Sequence, residues 1–233
     1  MLLADPRHGP LPALLVGLTA VSGLVDAVSV LRLGRVFVAN MTGNVVFIGF
    51  ALGGAPGFSL AASLVALGAF LGGAAIGGAA AARLGADRAV LLTASAAVEL
   101  VLLGCAWAGA AAVHEPYAGI ASATLAGLGA LAMGIQNAVA RHLAVPDLTT
   151  TVLTMTLTGI AADLRSRRGP QLLRRLLAVA TMLGGAVTGT LLLLHAGTAP
   201  TLGVVVAVLA CVTAGAGMSL RRPGDWRTAP HAV

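Results

Sequence analysis

The chain of 233 residues contains no lysine, and only 9% of its residues are charged, against about 25% in soluble domains. Aromatic residues make up 3%, too few for a platform on which nucleic-acid bases could stack. There are two cysteines, Cys105 and Cys211. Both lie in apolar runs and read as buried, inert thiols, and no Cys/His spacing suits a metal. No Walker sequence, HExxH, GxSxG or strand-borne GxGxxG occurs, so the motifs for phosphoryl transfer, hydrolysis and hydride transfer are missing. These absences predict a protein that is not an enzyme, carries no cofactor or metal, and binds no nucleic acid.

Apolar residues, by contrast, are in excess. Hydrophobic residues are 58% of the chain, with 31 glycines besides, and the mean hydropathy is +0.96. Soluble proteins are about 45–50% apolar with glycine included, and a soluble globule of this size could not hide such a surplus. The expected fold is an all-α, polytopic integral membrane protein, with the lipid bilayer as its first partner. A net charge of +6 suggests nucleic acid at first sight. The 14 basic residues are all arginines, however, and most sit in short breaks between apolar runs, as orienting charges do. The missing lysine, beside abundant Ala, Gly and Arg, is the mark of a GC-rich coding sequence and carries no functional weight. Residues 1–12 lead into an apolar run with no small-residue cleavage site, which reads as a retained first span.

Charges and turn residues divide the chain into eight apolar segments, A to H: about 12–33, 36–53, 59–82, 89–112, 117–141, 148–163, 172–194 and 200–220. Crossing the hydrocarbon takes about 20 helical residues. Six segments meet that length. B (36–53) and F (148–163) are shorter and more polar, B with Asn40, Thr42 and Asn44, F with Thr149, Thr150, Thr151, Thr154, Thr156 and Thr158. The order repeats. Leu71-Gly72-Gly73-Ala74 and Gly77 recur 112 positions later as Leu183-Gly184-Gly185-Ala186 and Gly189. Gly23, Ala27 and Val28 recur 111 positions later as Gly134, Ala138 and Val139, and Thr42 recurs 112 later as Thr154. One transmembrane domain over 1–220 therefore divides into a first repeat at about 12–112 and a second at about 117–220, leaving 221–233 as a short cytoplasmic tail. Glycines four apart (Gly68/Gly72, Gly73/Gly77, Gly185/Gly189) read as helix-packing surfaces, which also admit a second copy of the chain, a homo-oligomer, as partner.

The arginines choose between topologies. With eight crossings and the N-terminus inside, nine arginines fall inside and five outside. If B and F enter the membrane and return, twelve fall inside and only Arg32 and Arg35 outside. The second arrangement predicts six full transmembrane helices plus two shorter re-entrant segments. Each half then crosses three times, so the two form inverted repeats. It places both termini in the cytoplasm of a multi-pass inner-membrane protein.

Several polar residues sit where lipid would penalise them. Asp26 lies within A, and a carboxylate in mid-span costs about 2.5–3.5 kcal/mol on insertion scales, so it faces a partner or a wet cavity. Its repeat mate is Asn137, preceded by Gln136. An acid and an amide at equivalent places approach the axis between two halves, where repeat transporters bind substrate; the alternative is a hydrogen bond holding A to E. In B, Asn40-Met41-Thr42-Gly43-Asn44 suggests non-helical backbone broken near Gly43, with Thr154 of F as a mate in a paired half-helix; alternatively the F threonines bond carbonyls of their own helix. Glu99, alone within D, is a candidate proton-relay residue. Glu115 and His114 read as solvated. Arg165, Arg167, Arg168, Arg174 and Arg175 read as a topogenic cluster at anionic lipid.

Gly23-Leu24-Val25-Asp26-Ala27 with Phe37-Val38-Ala39-Asn40-Met41-Thr42-Gly43-Asn44, and Met133-Gly134-Ile135-Gln136-Asn137-Ala138 with Val145-Pro146 and the Thr run, resemble the YoaK family of bacterial inner-membrane proteins, domain of unknown function 1275, over roughly 13–220. The resemblance implies a multi-spanning bacterial membrane protein and supplies no substrate. The chain departs from the family pattern at Met155, where a glycine is usual, so F is expected to be the more regular helix. The functional expectation is a small-solute or ion transporter or permease using Asp26, Asn40, Thr42, Gly43, Asn44, Gln136, Asn137 and Thr154. The rival is a non-transporting membrane scaffold or assembly partner.

Overall fold

The structure is a computed structural model that describes residues 8–146, 153–163 and 169–228. Eight α-helices occur among the described residues: α1 Leu11–Arg32, α2 Met41–Leu52, α3 Leu60–Leu84, α4 Arg88–Ala112, α5 Gly119–Leu143, α6 Leu153–Asp163, α7 Gly169–Ala196 and α8 Thr198–Ser219. No strand is found there. Six of the helices are long and apolar enough to span a membrane; α2 and α6 are not. At 1.5 Å per residue the 12 residues of α2 reach about 18 Å and the 11 of α6 slightly less. The hydrocarbon is about 30 Å thick.

Capping chemistry fixes the starts of α3 and α4. The Ser59 hydroxyl accepts the Ala62 amide, and Asp87 Oδ1 accepts the amides of Ala89 and Val90. Between α1 and α2 the chain turns through Gly34 and Arg35, both at positive φ, then runs without helix to Asn40. The break expected near Gly43 therefore lies earlier, because α2 passes through Gly43 as regular helix. Glycine is needed there for another reason: a Cβ would press into the Phe37 ring.

Helix pairing is reciprocal. α1 packs on α7 as α3 packs on α5, α1 on α8 as α5 on α4, and α2 on α3 as α6 on α7. α4 and α8 pack on each other. The close approaches follow the same scheme. A Cβ at Gly23 would strike Met182 O and Ala186 N, and one at Gly134 would strike Phe70 O and Ala74 N. Gly77 meets Ala138 and Ile135, and Gly189 meets Ala27 and Leu24. Small residues let these backbones touch, the dominant source of helix association in lipid. Gly68 and Gly72, expected to serve likewise, have no close backbone neighbour. Cys105 and Cys211 lie on the outer surface of the bundle rather than buried in it. That surface also shows Leu52, Leu71, Ile76, Leu183 and Leu194, as a lipid-facing surface should.

The two ends of the bundle sort the loops. At one end Arg88, itself 1% exposed, donates to Leu143 O and to Trp226 O (3.3 Å) and pairs with His8 Nδ1 (3.2 Å). Asp87 pairs with Arg227, so the 3-10 turn Asp225–Arg227 in the tail docks here. At the other end Glu115 Oε1 accepts the Thr198 amide (2.7 Å) and Oε2 lies 3.9 Å from Arg32 Nε. Arg32 also donates to Leu193 O. Glu115 is thus a clamp between loops, not simply solvated. His8, the α3–α4 turn, the end of α5 and the tail share one end; the α1–α2, α4–α5 and α7–α8 connections share the other. Eight crossings would separate His8 from Arg88.

Candidate functional site

Asp26 lies six residues before the end of α1, about 9 Å inside it. Its Oδ1 accepts the amides of Val38 (3.0 Å) and Ala39 (2.9 Å), and the residue is 6% exposed. The carboxylate thereby pins the chain after α1 back into the bundle, and α2 starts at that depth. At its other end α2 returns to where it set out, with the Arg35 guanidinium against Gly57. Asn44, fully buried, works on the same strand of backbone: Oδ1 accepts Phe37 N (2.9 Å) and Nδ2 donates to Phe37 O (2.6 Å). Asp26 Oδ1 and the Asn44 amide thus satisfy backbone groups of the non-helical stretch that no helix partner serves.

Side chains alternate along the pinned stretch. Val38 points to a small apolar void of about 10 Å³ among α1, α4, α5 and α8. Phe37 and Ala39 face the opposite way, into an open cavity of about 610 Å³. The first turn of α2 (Asn40, Met41, Thr42, Gly43) lines that cavity, as do Phe47, Phe70 and Thr154 of α6. The loop is a partition between the two spaces.

The cavity brings together four of the residues expected to form a site: Asn40, Thr42, Gly43 and Thr154. Asp26 and Asn44 stand behind its wall as supports. Gln136 and Asn137 do not line it. Gln136 Nε2 donates to Ser22 Oγ (2.9 Å) where α1 and α5 cross, and Asn137 donates to Met133 O in its own helix. Asp26 and Asn137 thus make separate bonds. Thr158 bonds Thr154 O (2.9 Å), the helix-internal role. Thr149, Thr150, Thr151 and Arg165, Arg167 and Arg168 lie outside the described residues. Glu99 is in α4, 1% exposed and away from the cavity.

The aromatic wall was not anticipated. Phe37, Phe47, Phe50 and Phe58 form one cluster, with the Phe37 and Phe47 rings stacked at 5.7 Å, and Phe70 joins Phe37 and Phe47 in the lining. These are all five phenylalanines of the chain. Their confinement to positions 37–70 was the signal available in the sequence.

The family described as protein of unknown function DUF1275 matches residues 14–215. The chain belongs to this family. The UPF0700 transmembrane protein YoaK of Bacillus subtilis (strain 168) is 33% identical over 146 residues, 63% of this chain and 64% of that relative. The alignment thus spans less than two thirds of the relative's length. No solved structure matches. This DUF1275 protein is a multi-pass membrane protein, and the two stretches that resemble the family in its first half, around Asp26 and across 37–44, are the pinned loop and its latch.

Proposed function

We propose that this chain is a small-solute permease of the bacterial inner membrane, with no enzymatic step, built as two inverted halves with both termini in the cytoplasm. The observation that carries the reading is the cavity at the start of α2, shared by Thr42 and its repeat mate Thr154. Its volume of about 610 Å³ falls in the range of about 300–1,000 Å³ that holds organic ligands, far above what a bare ion requires. The first turn of α2 and Thr154 of α6 border it, and a helix N-terminus carries partial positive charge. Half-helix ends of this kind receive electron-rich substrate groups in transporters of repeat architecture. Phe37, Phe47 and Phe70 offer an apolar face to the rest of the solute. The reciprocal helix pairing and the 111–112 offset in close contacts support the duplication. Three crossings per half, with the arginine bias, support the inversion and the cytoplasmic ends.

A scaffold has one observation in its favour: Asp26 Oδ1 and the Asn44 amide are engaged by backbone groups of the loop. The two readings separate on ligand binding. The purified protein is heated in detergent with a panel of small organic solutes. A cavity ligand at 100 times its Kd stabilises by about 2.7 kcal/mol, and Thr42→Trp, which intrudes on the cavity, should reduce the shift. Stabilisation by none of the panel, or shifts equal in Thr42→Trp, would favour the scaffold.

A further inference from the structure

Four helices, α1, α4, α5 and α8, meet around the small void that Val38 faces. Its lining includes Leu103 of α4, Gly129 of α5 and Ser29 of α1. Glu99 precedes Leu103 by four residues, Gln136 follows Gly129 by seven and Ser22 precedes Ser29 by seven, so all three share the inward faces of their helices. Depth agrees with face. α4 and α5 run antiparallel, with Tyr117 Oη donating to Ala110 O at one end and Arg88 bonded to Leu143 O at the other. Gly109 lies beside Leu125. That register sets Glu99 within about one helical turn of Gln136.

The hydrogen-bond accounts of this layer do not close. Glu99 Oε2, Gln136 Oε1 and Ser95 Oγ are buried with no partner among the described residues. Ser95 stands one turn from Glu99 on the same face of α4. No counter-charge is near among the described residues. In the helices packed on α4, titratable groups are confined to Arg83 in the last turn of α3, Arg141 and His142 in the last turn of α5, and Cys211, on the outer surface of α8. Asp225 and Arg227 lie at the end of the bundle with Arg88. Asp26 of α1 is bonded to Val38 and Ala39. An ionised Glu99 would be an isolated charge in mid-membrane. A proton on Oε2 would instead supply the donor that Gln136 Oε1 lacks.

We propose that Glu99 is a proton-exchange site in the four-helix core, separate from the solute cavity. At rest the acid holds its proton toward Gln136, which acts as a positioning residue. On release the proton leaves Oε2 for a water molecule, forming hydronium and the Glu99 carboxylate; on uptake the reverse occurs, and no electron transfer is involved. The site goes beyond the permease reading: it places a proton-binding step in the core.

The test is infrared pH-difference spectroscopy on the full-length protein in lipid nanodiscs, with no solute added, so its result does not depend on whether the cavity carries one. Wild type should show a protonated-carboxyl carbonyl band that changes with pH. The band should vanish in Glu99→Gln, shift in Gln136→Leu and persist in Asp26→Asn. Carboxyl-region difference spectra that are the same in wild type and folded Glu99→Gln would overturn the proposal. If Glu99→Gln does not fold, Gln136→Leu decides, and an unmoved band there would equally overturn it.

Discussion

Replacing Asp26 separates its charge from its geometry. Two amides, Val38 N and Ala39 N, depend on one carboxylate oxygen, and both residues are nearly fully buried. Leaving a buried donor unpaired costs about 1–3 kcal/mol, so Asp26→Ala should lose about 2–6 kcal/mol. That is a large fraction of a total stability of about 5–15 kcal/mol. Asp26→Asn keeps an oxygen in place for both amides and gives up only the strengthening that charge confers, about half of each bond; its cost should be about 1–2 kcal/mol. Asp26→Leu should behave like Ala, with added crowding against the loop. The assay is the melting midpoint of detergent-purified protein, read by the monodisperse fraction after heating. The order should be wild type, then Asn, then Ala and Leu well below. Ala as stable as Asn would refute the latch, since the two differ mainly in whether the loop amides keep an acceptor.

Other consequences follow from the same contacts. Gly134→Leu places side-chain carbon onto Phe70 O and Ala74 N, and should cost about 1–3 kcal/mol by forcing α3 and α5 apart; a melt unchanged from wild type would contradict that packing. Gly43→Val should disturb Phe37 and the cavity wall while leaving α2 helical, visible as lost ligand shifts with unchanged far-ultraviolet dichroism. Burial pushes the Asp87 carboxyl up, but hydrogen bonds from Arg227, Val90 and Ala89 and the Arg227 charge outweigh it, and it sits below the usual carboxylate range. A depressed folded value means the tail latch is fully present above the ordinary carboxylate value and is lost as pH falls through the lowered one. In Trp107→Phe, the emission of Trp226, 7% exposed, should therefore move to the red only in strong acid, and a shift already complete near neutrality would refute this. For topology, His114→Cys in a Cys105→Ala/Cys211→Ala background should react with an impermeant thiol reagent outside intact cells. Labelling only after permeabilisation would reverse the orientation.

The broad architecture was legible because arginine cannot rest in hydrocarbon. Where Arg83, Arg88 and Arg141 had to sit decided against eight crossings, and the contact of His8 with Arg88 shows the same grouping. Asp26 was legible as an expensive residue, but not its partners, since backbone amides leave no letter in a sequence. Asn137 was paired with it by repeat position, yet the bond across α1 and α5 is made by Gln136, one residue earlier on the helix, where the side chain faces Ser22. A glycine at 43 in the sequence suggests backbone freedom; its use is the missing Cβ beneath Phe37, a contact across six residues. Glu115 looked like an ordinary loop acid because its partners, Arg32 and the Thr198 amide, are distant in the chain. The phenylalanines were visible as a bias in position, and only the fold shows that the bias makes a wall.

A permease requires Thr42 and Thr154 to face one water-accessible cavity at membrane depth. Single cysteines at these two positions, in the Cys105→Ala/Cys211→Ala background and reconstituted in lipid, should both react with a charged, water-soluble thiol reagent, and a bifunctional thiol reagent should link them when both are present. Reaction of either position only with a lipid-soluble reagent would mean that the space between α2 and α6 is filled by acyl chains or packed protein, and the permease account would fail.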